Sequence, residues 1–462
     1  MDMPTSSFVV VANRLPVDRV VEGDQSQWRT SPGGLVTALD PVLRQREGVW
    51  IGWPGDSLDS YDAFEADGLT LLPIEVTPDE IEGYYDGMSN ATLWPLYHDV
   101  VVKPAFRREW WDTYVTVNRR FADAAAEAAE QGATVWVQDY QLQLVPQMLR
   151  EQRPDLRIGF FLHIPFPPNE LFKQLPWRDD ILKGLLGADL VGFQRPGGAS
   201  NFARLVRLRL GYKTHRDKIE VDGREVSARA YPISIDFQSL ETLAKSSEVA
   251  ARADEIRDEL GHPRQIVLGV DRLDYTKGIR QRLRAFGELI RDGDVKVEDA
   301  VFIQVATPSR ERLGQYQEVR DDIERWVGRV NGDLGRIGWL PIHYLHSSYP
   351  REEMAALFRV ADVMVVTPFA DGMNLVAKEY VTARYDNTGA LVLSEFAGAS
   401  DELKSAFLVN PHDINGLKEM MLAAMRAPRR DLSRRMRTMR RQVREHDIAW
   451  WADSFLKDLQ ID

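Results

Sequence analysis

The chain has 462 residues, 44% of them apolar and 28% charged, which is the composition of a globular protein long enough for two domains. It contains no cysteine, which excludes disulfides, thiolate nucleophiles and Cys-ligated metal sites and agrees with a cytoplasmic location. Its formal charge of −12 argues against general binding to nucleic acid or to anionic membranes, and its apolar runs are too short to span a bilayer.

Short apolar, β-branched runs recur along the chain with helical patterns between them. Because these runs are apolar throughout rather than alternating, they predict strands buried on both faces of mostly parallel sheets, and the predicted fold class is α/β. In the first half the predicted strands are Phe8–Ala12, Val49–Trp53, Leu69–Val76, Thr134–Val137, Ile158–Leu162 and Leu190–Phe193. In the second half they are Ile266–Val270, Val301–Ala306, Val363–Thr367, Leu391–Ser394 and Phe407–Val409.

A domain boundary is predicted at residues 235/236, because a polar, helix-prone stretch, Leu240–Leu260, follows it and then a new strand begins. The predicted units are an N-terminal α/β domain, residues 1–235, and a C-terminal α/β domain, residues 236–445. Residues 446–462 are predicted to form a helix that docks back on the N-terminal domain, since its aromatic residues need an apolar partner. An interface between copies of the chain is the alternative use of those aromatic residues.

One segment, Arg426–Arg444, is strongly basic and carries nine arginines. Its apolar residues Leu432, Met436, Met439 and Val443 recur at steps of three and four, which is the helical period. The pattern predicts an amphipathic surface helix with a solvated basic face.

The stretch Asp371–Glu379 follows the apolar run Val363–Val366, contains a glycine and opens a helical pattern. The backbone N–H groups of a first helical turn have no intrahelical partner, so this junction predicts an anion site. Asp371 and Glu379 would repel a phosphate and are therefore expected to face ribose or sugar hydroxyls. The pattern indicates a nucleotide-sugar site, and an ordinary crossover with surface acids is the alternative.

Cations lie at two further strand ends in the second half. Arg272 and Lys277 suit a diphosphate, whose negative charge grows as its bond to a sugar breaks. The alternative is that both merely pair with Asp271 and Asp274. Arg310 follows the next predicted strand in the same way.

Polar residues also follow the strands of the first half. Arg14 comes after the first strand and has the planar fork that suits a phosphate, while Gly33 and Gly34 precede a helical pattern where backbone can approach a phosphate closely. Asp139 and His163 follow two further strands, where a polar residue serves a ligand rather than packing. A surface charge and a simple turn are the alternatives for Arg14 and the glycine pair.

Aromatic residues crowd the N-terminal part of the chain, at Trp50, Trp53, Tyr84, Tyr85 and Trp94. Such side chains make good platforms for sugars, but at this density a place in the core is the stronger interpretation.

Signals for a metal or a cofactor are weak. His343 and His346 have metal-like spacing but no carboxylate nearby in sequence, and no dinucleotide-binding glycine motif follows the first strand. No metal and no cofactor are therefore expected.

Taken together, the motifs resemble those of the trehalose-6-phosphate synthases, retaining glycosyltransferases of family 20. The resemblance covers nearly the whole chain, and the motifs that carry it are NRLP, SPGGL, GVWIGWPG, EGYYDGMSNATLWPLYH, VQDYQLQLVP, GFFLHIPFP, DRLDYTKG, ATPSR, TPFADGMNLVAKEY and SEFAGAS. It implies two facing Rossmann-like domains (the GT-B arrangement) with the active site in the cleft between them. It also implies that glucose passes from a nucleotide donor to glucose 6-phosphate, giving α,α-trehalose 6-phosphate.

The resemblance also implies roles for individual residues. The acceptor site would comprise Arg14, Trp53, Tyr85, Trp94, Asp139 and Arg310. The donor site would comprise Gly33, Gly34, His163, Arg272, Lys277, Asp371, Asn374, Leu375, Val376 and Glu379. Within this set Arg272 and Lys277 would stabilise the leaving diphosphate, while His163 and Asp371 would bind the transferred glucose.

Three alternatives stay open at this stage. UDP-glucose is the default donor of the family, but the motifs do not distinguish it from GDP-glucose or ADP-glucose. Related enzymes use other acceptors, such as glycerol 3-phosphate or a cyclitol phosphate. A catalytically silent sugar-phosphate sensor should have lost cations or acids from the diphosphate site, which are present here, and a sugar-nucleotide phosphorylase or hydrolase would release product without glucose 6-phosphate.

Overall fold

The computed structural model describes residues 4–22, 25–30, 34–55 and 62–459. The chain forms two compact units, one made of Met1–Ile233 with Ile448–Asp462 and the other of Ser234–Asp447. The chain therefore leaves the first unit two residues before the predicted boundary and returns to it at Ile448 rather than at residue 446.

The first unit is built on a mostly parallel sheet. In the described part of the chain its strands are β1 (Ser6–Arg14), a hairpin of β2 (Val17–Glu22) and β3 (Gln25–Thr30), β4 (Val49–Trp53), β5 (Phe64–Ala66), β6 (Leu69–Pro73), β7 (Ala129–Gln138), β8 (Arg157–Leu162), β9 (Leu190–Phe193), β10 (Thr214–His215), β11 (Lys218–Val221) and β12 (Arg224–Ala230). The sheet order is β10-β11-β12-β9-β8-β7-β1-β4-β6-β5, and β2 pairs only with β3 among the described strands. The strands from β12 to β6 run parallel, and antiparallel pairs occur only at the two edges.

Helices connect most of the parallel strands of this sheet, as crossovers between parallel strands require. They are α1 (Gly34–Arg46), α2 (Pro78–Glu80), α3 (Trp94–Tyr97), α4 (Arg108–Ala128), α5 (Val145–Gln152), α6 (Asn169–Phe172), α7 (Arg178–Leu186) and α8 (Pro196–Leu210). A π-helix, Ile81–Leu93, connects α2 directly to α3.

The second unit has a smaller sheet whose strands are all parallel. They are β13 (Gln265–Arg272), β14 (Ala300–Thr307), β15 (Ile342–Leu345), β16 (Val363–Val366), β17 (Ala390–Ser394) and β18 (Phe407–Val409), in the order β15-β14-β13-β16-β17-β18. Its helices are α9 (Phe237–Ala244), α10 (Ser247–Glu259), α11 (Ile279–Arg291), α12 (Gly314–Leu334), α13 (Arg351–Val360), α14 (Leu375–Ala383), α15 (Ile414–Arg426) and α16 (Arg429–Glu445).

The predicted α/β class with mostly parallel sheets is confirmed, and each predicted strand is present. Two details differ from the prediction. The strand predicted over Leu69–Val76 ends at Pro73, and the stretch Leu240–Leu260 forms two helices because the Ser246 side chain caps a new one by accepting from the N–H of Val249 at 3.3 Å. The basic segment forms the predicted amphipathic helix only from Arg429, as α16 with Met436, Met439 and Val443 buried, whereas Arg426 ends α15. Its basic face is not solvated throughout, because Arg440 is buried.

The last described helix, α17 (Ile448–Asp458), packs against the sheet of the first unit. The ring of Trp136 stacks on Phe455 with centroids 4.5 Å apart and on Trp451 with centroids 5.2 Å apart. Gly159 and Gly192 make room for this helix, since a Cβ on either would lie 2.8 Å or less from the Phe455 ring. Within the described ranges, no helix is long and apolar enough to cross a membrane.

Candidate active site

The second unit brings two loops together because β13 and β16 are neighbouring parallel strands. One loop follows β13 and contains Arg272 and Lys277, and the other follows β16 and contains Asp371. The backbone N–H of Phe369 donates to the carbonyl of Thr276 at 2.7 Å and joins the two loops. Their side chains therefore belong to one site at the carboxyl end of the sheet, as expected for doubly wound folds.

An ion pair links the two loops directly. The Nζ of Lys277 lies 2.6 Å from Oδ2 of Asp371, and the side chains are only 10% and 15% exposed. The pairing of Lys277 with Asp271 or Asp274, which was the alternative from sequence, is not among the ion pairs of the described residues. Those two carboxylates bind Arg282 and Arg310, as described below. Arg272 ends β13 with an exposed side chain.

The helix α14 begins beside this ion pair. The side chain of Asn374 caps the helix by accepting from the N–H of Ala377 at 3.0 Å, and it also donates to Asp371 at 3.2 Å. The N–H groups of Leu375 and Val376 belong to the first turn, which has no acceptor inside the helix. The helix entrance at which the sequence predicts an anion site is therefore capped and has a lysine–aspartate pair at its side.

The loop that contains Asp371 is fixed from behind by the segment after β17. The N–H of Gly398 donates to the carbonyl of Asp371 at 3.0 Å, and the N–H of Asp371 donates to Phe396 at 3.3 Å. A Cβ on Gly398 would lie 2.0 Å from the carbonyl oxygen of Gly372, so only glycine allows this close approach. Gly398 lies inside the SEFAGAS motif, but no local sequence pattern predicted a role for it.

Glu379 lies about one turn further along α14 than Leu375, the first residue of the helix. Its carboxylate makes no hydrogen bond and no ion pair with the described residues, although it is partly buried. Burial raises the pKa of Glu379 to about 6, and the nearby charge of Arg351 offsets only part of that rise. Such a desolvated acceptor gains from a hydroxyl donor, as predicted for a ribose.

Arg310 lies after β14 and is only 5% exposed. Its Nη1 lies 3.3 Å from Oδ2 of Asp274 and 2.5 Å from the hydroxyl of Tyr316. Burial alone would raise the pKa of Asp274, but Arg310, helped by Arg272 and Lys277, lowers it to about 2. Arg310 thus belongs to the second unit and is held within it, and its predicted contact with an acceptor stays a prediction.

In the first unit, Asp139 and His163 meet at the carboxyl ends of β7 and β8. The Oδ1 of Asp139 accepts from the backbone N–H of His163 at 3.1 Å. Asp139 has φ 72° and ψ 172°, a conformation that is almost confined to glycine and costs about 1–3 kcal/mol in other residues. Strain of this kind is typical of functional sites, so it supports a ligand role for Asp139.

The imidazole of His163 is held in a neutral form. Its Nε2 lies 2.9 Å from Oε1 of Gln138, an acceptor, so Nε2 carries the proton. Burial lowers the pKa of His163 to about 3, which excludes a cationic role near neutral pH. Gln138 was not predicted as a site residue, although it directly precedes Asp139 in the VQDYQLQLVP motif.

Arg14, Trp53 and Tyr85 form a second contiguous group in the first unit. The Arg14 guanidinium lies 5.1 Å from the centre of the Trp53 ring and donates to Asp18 at 2.9 Å, and the rings of Trp53 and Tyr85 are 5.7 Å apart. Trp53 is buried and also lies next to Arg14 and Tyr85. A place in the core and a place in a sugar site are therefore compatible for this residue.

The π-helix determines where Tyr85 and Trp94 point. They are nine residues apart, which is about two and a half turns of an α-helix and would place them on opposite sides. In a π-helix each N–H donates to the carbonyl of the fifth residue before it, as the N–H of Trp94 does to Ser89. Nine residues then make about two turns, so Tyr85 and Trp94 come to the same side of the helix. The Trp94 ring lies against His98 in a tilted arrangement with centroids 4.1 Å apart, and it is 5.7 Å from the ring of Tyr140, the neighbour of Asp139.

Of the glycine pair Gly33 and Gly34, only Gly34 lies within the described residues. Gly33 lies outside the described residues, and α1 begins at Gly34. Among the residues that the structure describes, no group of three or more His, Asp or Glu side chains is arranged to hold a metal ion.

Comparison with known proteins gives one consistent family. The model of glycosyltransferase family 20 matches residues 6–461. The chain is 58% identical over 470 residues to the trehalose-6-phosphate synthase of Mycolicibacterium gilvum (strain PYR-GCK), covering 98% of this chain and 93% of that protein. It is 58% identical over 469 residues to the trehalose-6-phosphate synthase of Mycobacterium avium (strain 104), covering 98% and 95%.

Solved structures agree with the sequence relatives. The chain is similar to an α,α-trehalose-phosphate synthase (UDP-forming) from Burkholderia xenovorans in complex with glucose-6-phosphate, with a TM-score of 0.90, 36% identity and coverage of 98% and 100% of the two chains. It is also similar to a chain from E. coli bound with UDP-2-fluoro glucose, with a TM-score of 0.89, 32% identity and coverage of 98% and 99%.

Proposed function

The chain belongs to glycosyltransferase family 20, and from that premise we propose that it transfers glucose from UDP-glucose to glucose 6-phosphate with retention, forming α,α-trehalose 6-phosphate and UDP. The observation that carries the proposal is the arrangement in the second unit. A lysine–aspartate pair lies beside a capped helix entrance, and Glu379, whose carboxylate has no hydrogen-bond or ion-pair partner among the described residues, follows on the same helix. A diphosphate joined to two hydroxyl-bearing rings matches these three groups.

For the donor, we assign the diphosphate to Arg272, Lys277 and the first-turn N–H groups of α14. Asp371 then accepts from hydroxyls of the transferred glucose, and Glu379 accepts from the ribose. The salt link of 2.6 Å between Lys277 and Asp371 supports this assignment, because it holds a phosphate-binding cation and a sugar-binding anion next to each other.

For the acceptor, we assign the sugar to Asp139 and to the aromatic rings of Trp53, Tyr85 and Trp94. Arg14 provides a charge for the phosphate at the edge of the same group. The π-helical winding that turns Tyr85 and Trp94 to one side supports this assignment.

The proposed reaction is an attack on the same face from which the leaving group departs. The acceptor's anomeric oxygen forms a bond to C1 of the donor glucose while the bond from C1 to the β-phosphate oxygen breaks. The proton of the attacking hydroxyl passes to an oxygen of that leaving β-phosphate, and Arg272 and Lys277 stabilise the charge that develops there. Asp371 orients sugar hydroxyls and is not a nucleophile.

We also propose that transfer needs no metal. The charge of the leaving diphosphate is met by Arg272, Lys277 and backbone N–H groups, which together take the place that a divalent cation has in other phosphate sites. Turnover in excess EDTA should equal turnover without it.

The first experiment measures release of nucleoside diphosphate from UDP-, GDP- and ADP-glucose, each with and without glucose 6-phosphate. Release that requires glucose 6-phosphate and is fastest with UDP-glucose is the expected result. Release in its absence would indicate a hydrolase. No release with any donor would indicate another acceptor, which glycerol 3-phosphate and a cyclitol phosphate would test, or a silent sensor.

A further inference from the structure

A second ion pair lies beneath the Lys277–Asp371 pair and takes no part in the reaction as proposed. The Nη2 of Arg282 lies 2.6 Å from Oδ2 of Asp271, and the side chains are 0% and 2% exposed. The Nε of Arg282 donates to Oε1 of Gln304 at 2.8 Å, and its Nη1 lies 3.4 Å from Oγ1 of Thr367. A fully buried arginine with every side of its guanidinium occupied is costly to place in a core.

Two of the three side-chain partners of Arg282, Asp271 and Thr367, lie where the two loops of the site begin. Asp271 directly precedes Arg272 at the end of β13. Thr367 begins the loop that contains Asp371, and its hydroxyl donates to the carbonyl of Gly278 at 3.2 Å, next to Lys277. Arg282 therefore touches the base of each loop that carries a charged group of the donor site.

The four charges of this region are close enough to compete. The pKa of Asp271 is raised by burial. The nearby charges of Arg282 and Lys277 lower it, and the carboxylate of Asp371 raises it. Asp271 thus lies within electrostatic reach of the same lysine that pairs with Asp371. With Arg282 in place, Asp271 is neutralised and Lys277 is left to Asp371.

We propose that Arg282 is a positioning residue that cancels the charge of Asp271 and so keeps Lys277 paired with Asp371 and available to the donor diphosphate. The inference rests on the proposed function of the donor site. Without Arg282, an ionised Asp271 draws Lys277 away from Asp371, and a protonated Asp271 does not. The defect is therefore expected to depend on pH.

The test compares Arg282→Met with the double variant Arg282→Met/Asp271→Asn, using UDP release at saturating glucose 6-phosphate from pH 5.5 to 9. In the single variant kcat/KM for UDP-glucose should fall about tenfold per pH unit above the pKa of Asp271, following one ionisation. The double variant has no carboxylate to ionise there, so its pH profile should run parallel to that of the unchanged chain. Arg282→Lys, which keeps the charge, should also keep the parallel profile.

Arg284→Met is the matched control, because Arg284 lies on the same helix with its side chain 47% exposed and pairs with Glu288 at the surface. It should leave the profile unchanged. A single variant that loses activity equally at all pH values, in step with its loss of folded protein by circular dichroism, would overturn the proposal and leave Arg282 a core residue. This outcome can be distinguished from a failure of the proposed function, because in that case the unchanged chain would itself release no UDP.

Discussion

The Nζ of Lys277 lies 2.6 Å from Oδ2 of Asp371, so the cation assigned to the diphosphate and the carboxylate assigned to the sugar hold each other in position. Replacing Lys277 by Met should lower turnover on the order of 10²-fold, because a preorganised charge at the leaving group is lost. Steady-state UDP release measures this, with Lys296→Met as the control for an exposed lysine of the same unit. Equal turnover in the two variants would remove Lys277 from the site.

Asp371 should not form a bond to glucose. Incubation of the protein with a fluorinated nucleotide-glucose, which slows breakdown of any covalent intermediate, is expected to leave the intact mass of the protein unchanged. Asp371→Asn should lower turnover about 10²-fold while producing the same α,α-linked product. A mass increase of one fluoroglucosyl group, lost on replacing Asp371, would instead establish a double displacement.

Glu379 should couple stability to pH in the opposite direction from an ordinary paired carboxylate. Its pKa is about 6 in the fold against 4.5 for the free group, so the fold favours the protonated form. The contribution of the protonated Glu379 side chain to the free energy of unfolding is therefore present below pH 4.5 and is lost as the pH rises through 6. Glu379→Gln should therefore gain about 1 to 2 kcal/mol of stability relative to the unchanged chain between pH 4 and pH 8, as urea unfolding measures.

The same Glu379→Gln variant should bind the donor more weakly. Losing a charged acceptor for ribose hydroxyls costs about 1.5 kcal/mol or more, which is roughly tenfold in KM for UDP-glucose. Gains in stability at the expense of function are common where a group is placed for a ligand. A variant that gains stability with no change in KM would show that Glu379 does not contact the donor.

His163 should also link stability to pH. Because burial lowers its pKa to about 3 from 6.5, the fold favours the neutral imidazole, and this contribution is complete above pH 6.5 and lost as the pH falls toward 3. Between pH 7 and pH 5 the unchanged chain should lose about 1 to 2 kcal/mol more stability than His163→Gln. Identical losses in the two proteins would mean that the imidazole takes up its proton in the folded state.

The helix α17 should contribute strongly to the stability of the first unit. Trp451 is fully buried and stacks on Trp136, so Trp451→Ala should cost about 3–5 kcal/mol in chemical unfolding. Its neighbour Trp450 is 37% exposed and provides the matched control, for which a small loss is expected. A similar cost for both would mean that the helix, rather than the buried ring, determines the effect.

The parts of the fold that sequence predicted are those with a strong local pattern. Continuous apolar runs located the central strands, and the three-four spacing located α16. Several of the missed strands lie at sheet edges, as β5, β10 and β15 do. β12 alternates polar and apolar residues and β15 contains a histidine, so neither shows a continuous apolar run. The hairpin β2–β3 stands apart from both large sheets and escaped notice for the same reason.

The residues of the candidate site likewise divide into those that the sequence predicted and those that it did not. Charged and polar residues directly after strands were found by position, because parallel strands place their carboxyl ends at one edge. The burial of Arg282 was not predictable, since its partner Asp271 is eleven residues away and the pairing depends on how α11 packs on β13. The π-helical winding of Ile81–Leu93 was not predictable either, because the segment contains two glycines and several other poor helix formers and so favours no helix.

The return of the chain to the first unit at Ile448 has a consequence for biosynthesis. Trp136, Gly159 and Gly192 are translated early, yet the ring that fills the groove between them, Phe455, is made only after the whole second unit. During translation the apolar groove of the first unit therefore stays unfilled until Phe455 has been made, whereas the second unit can complete its own sheet before that. A nascent chain stalled before residue 448 should present that groove to chaperones, and the unit that is synthesised first becomes the one that is finished last.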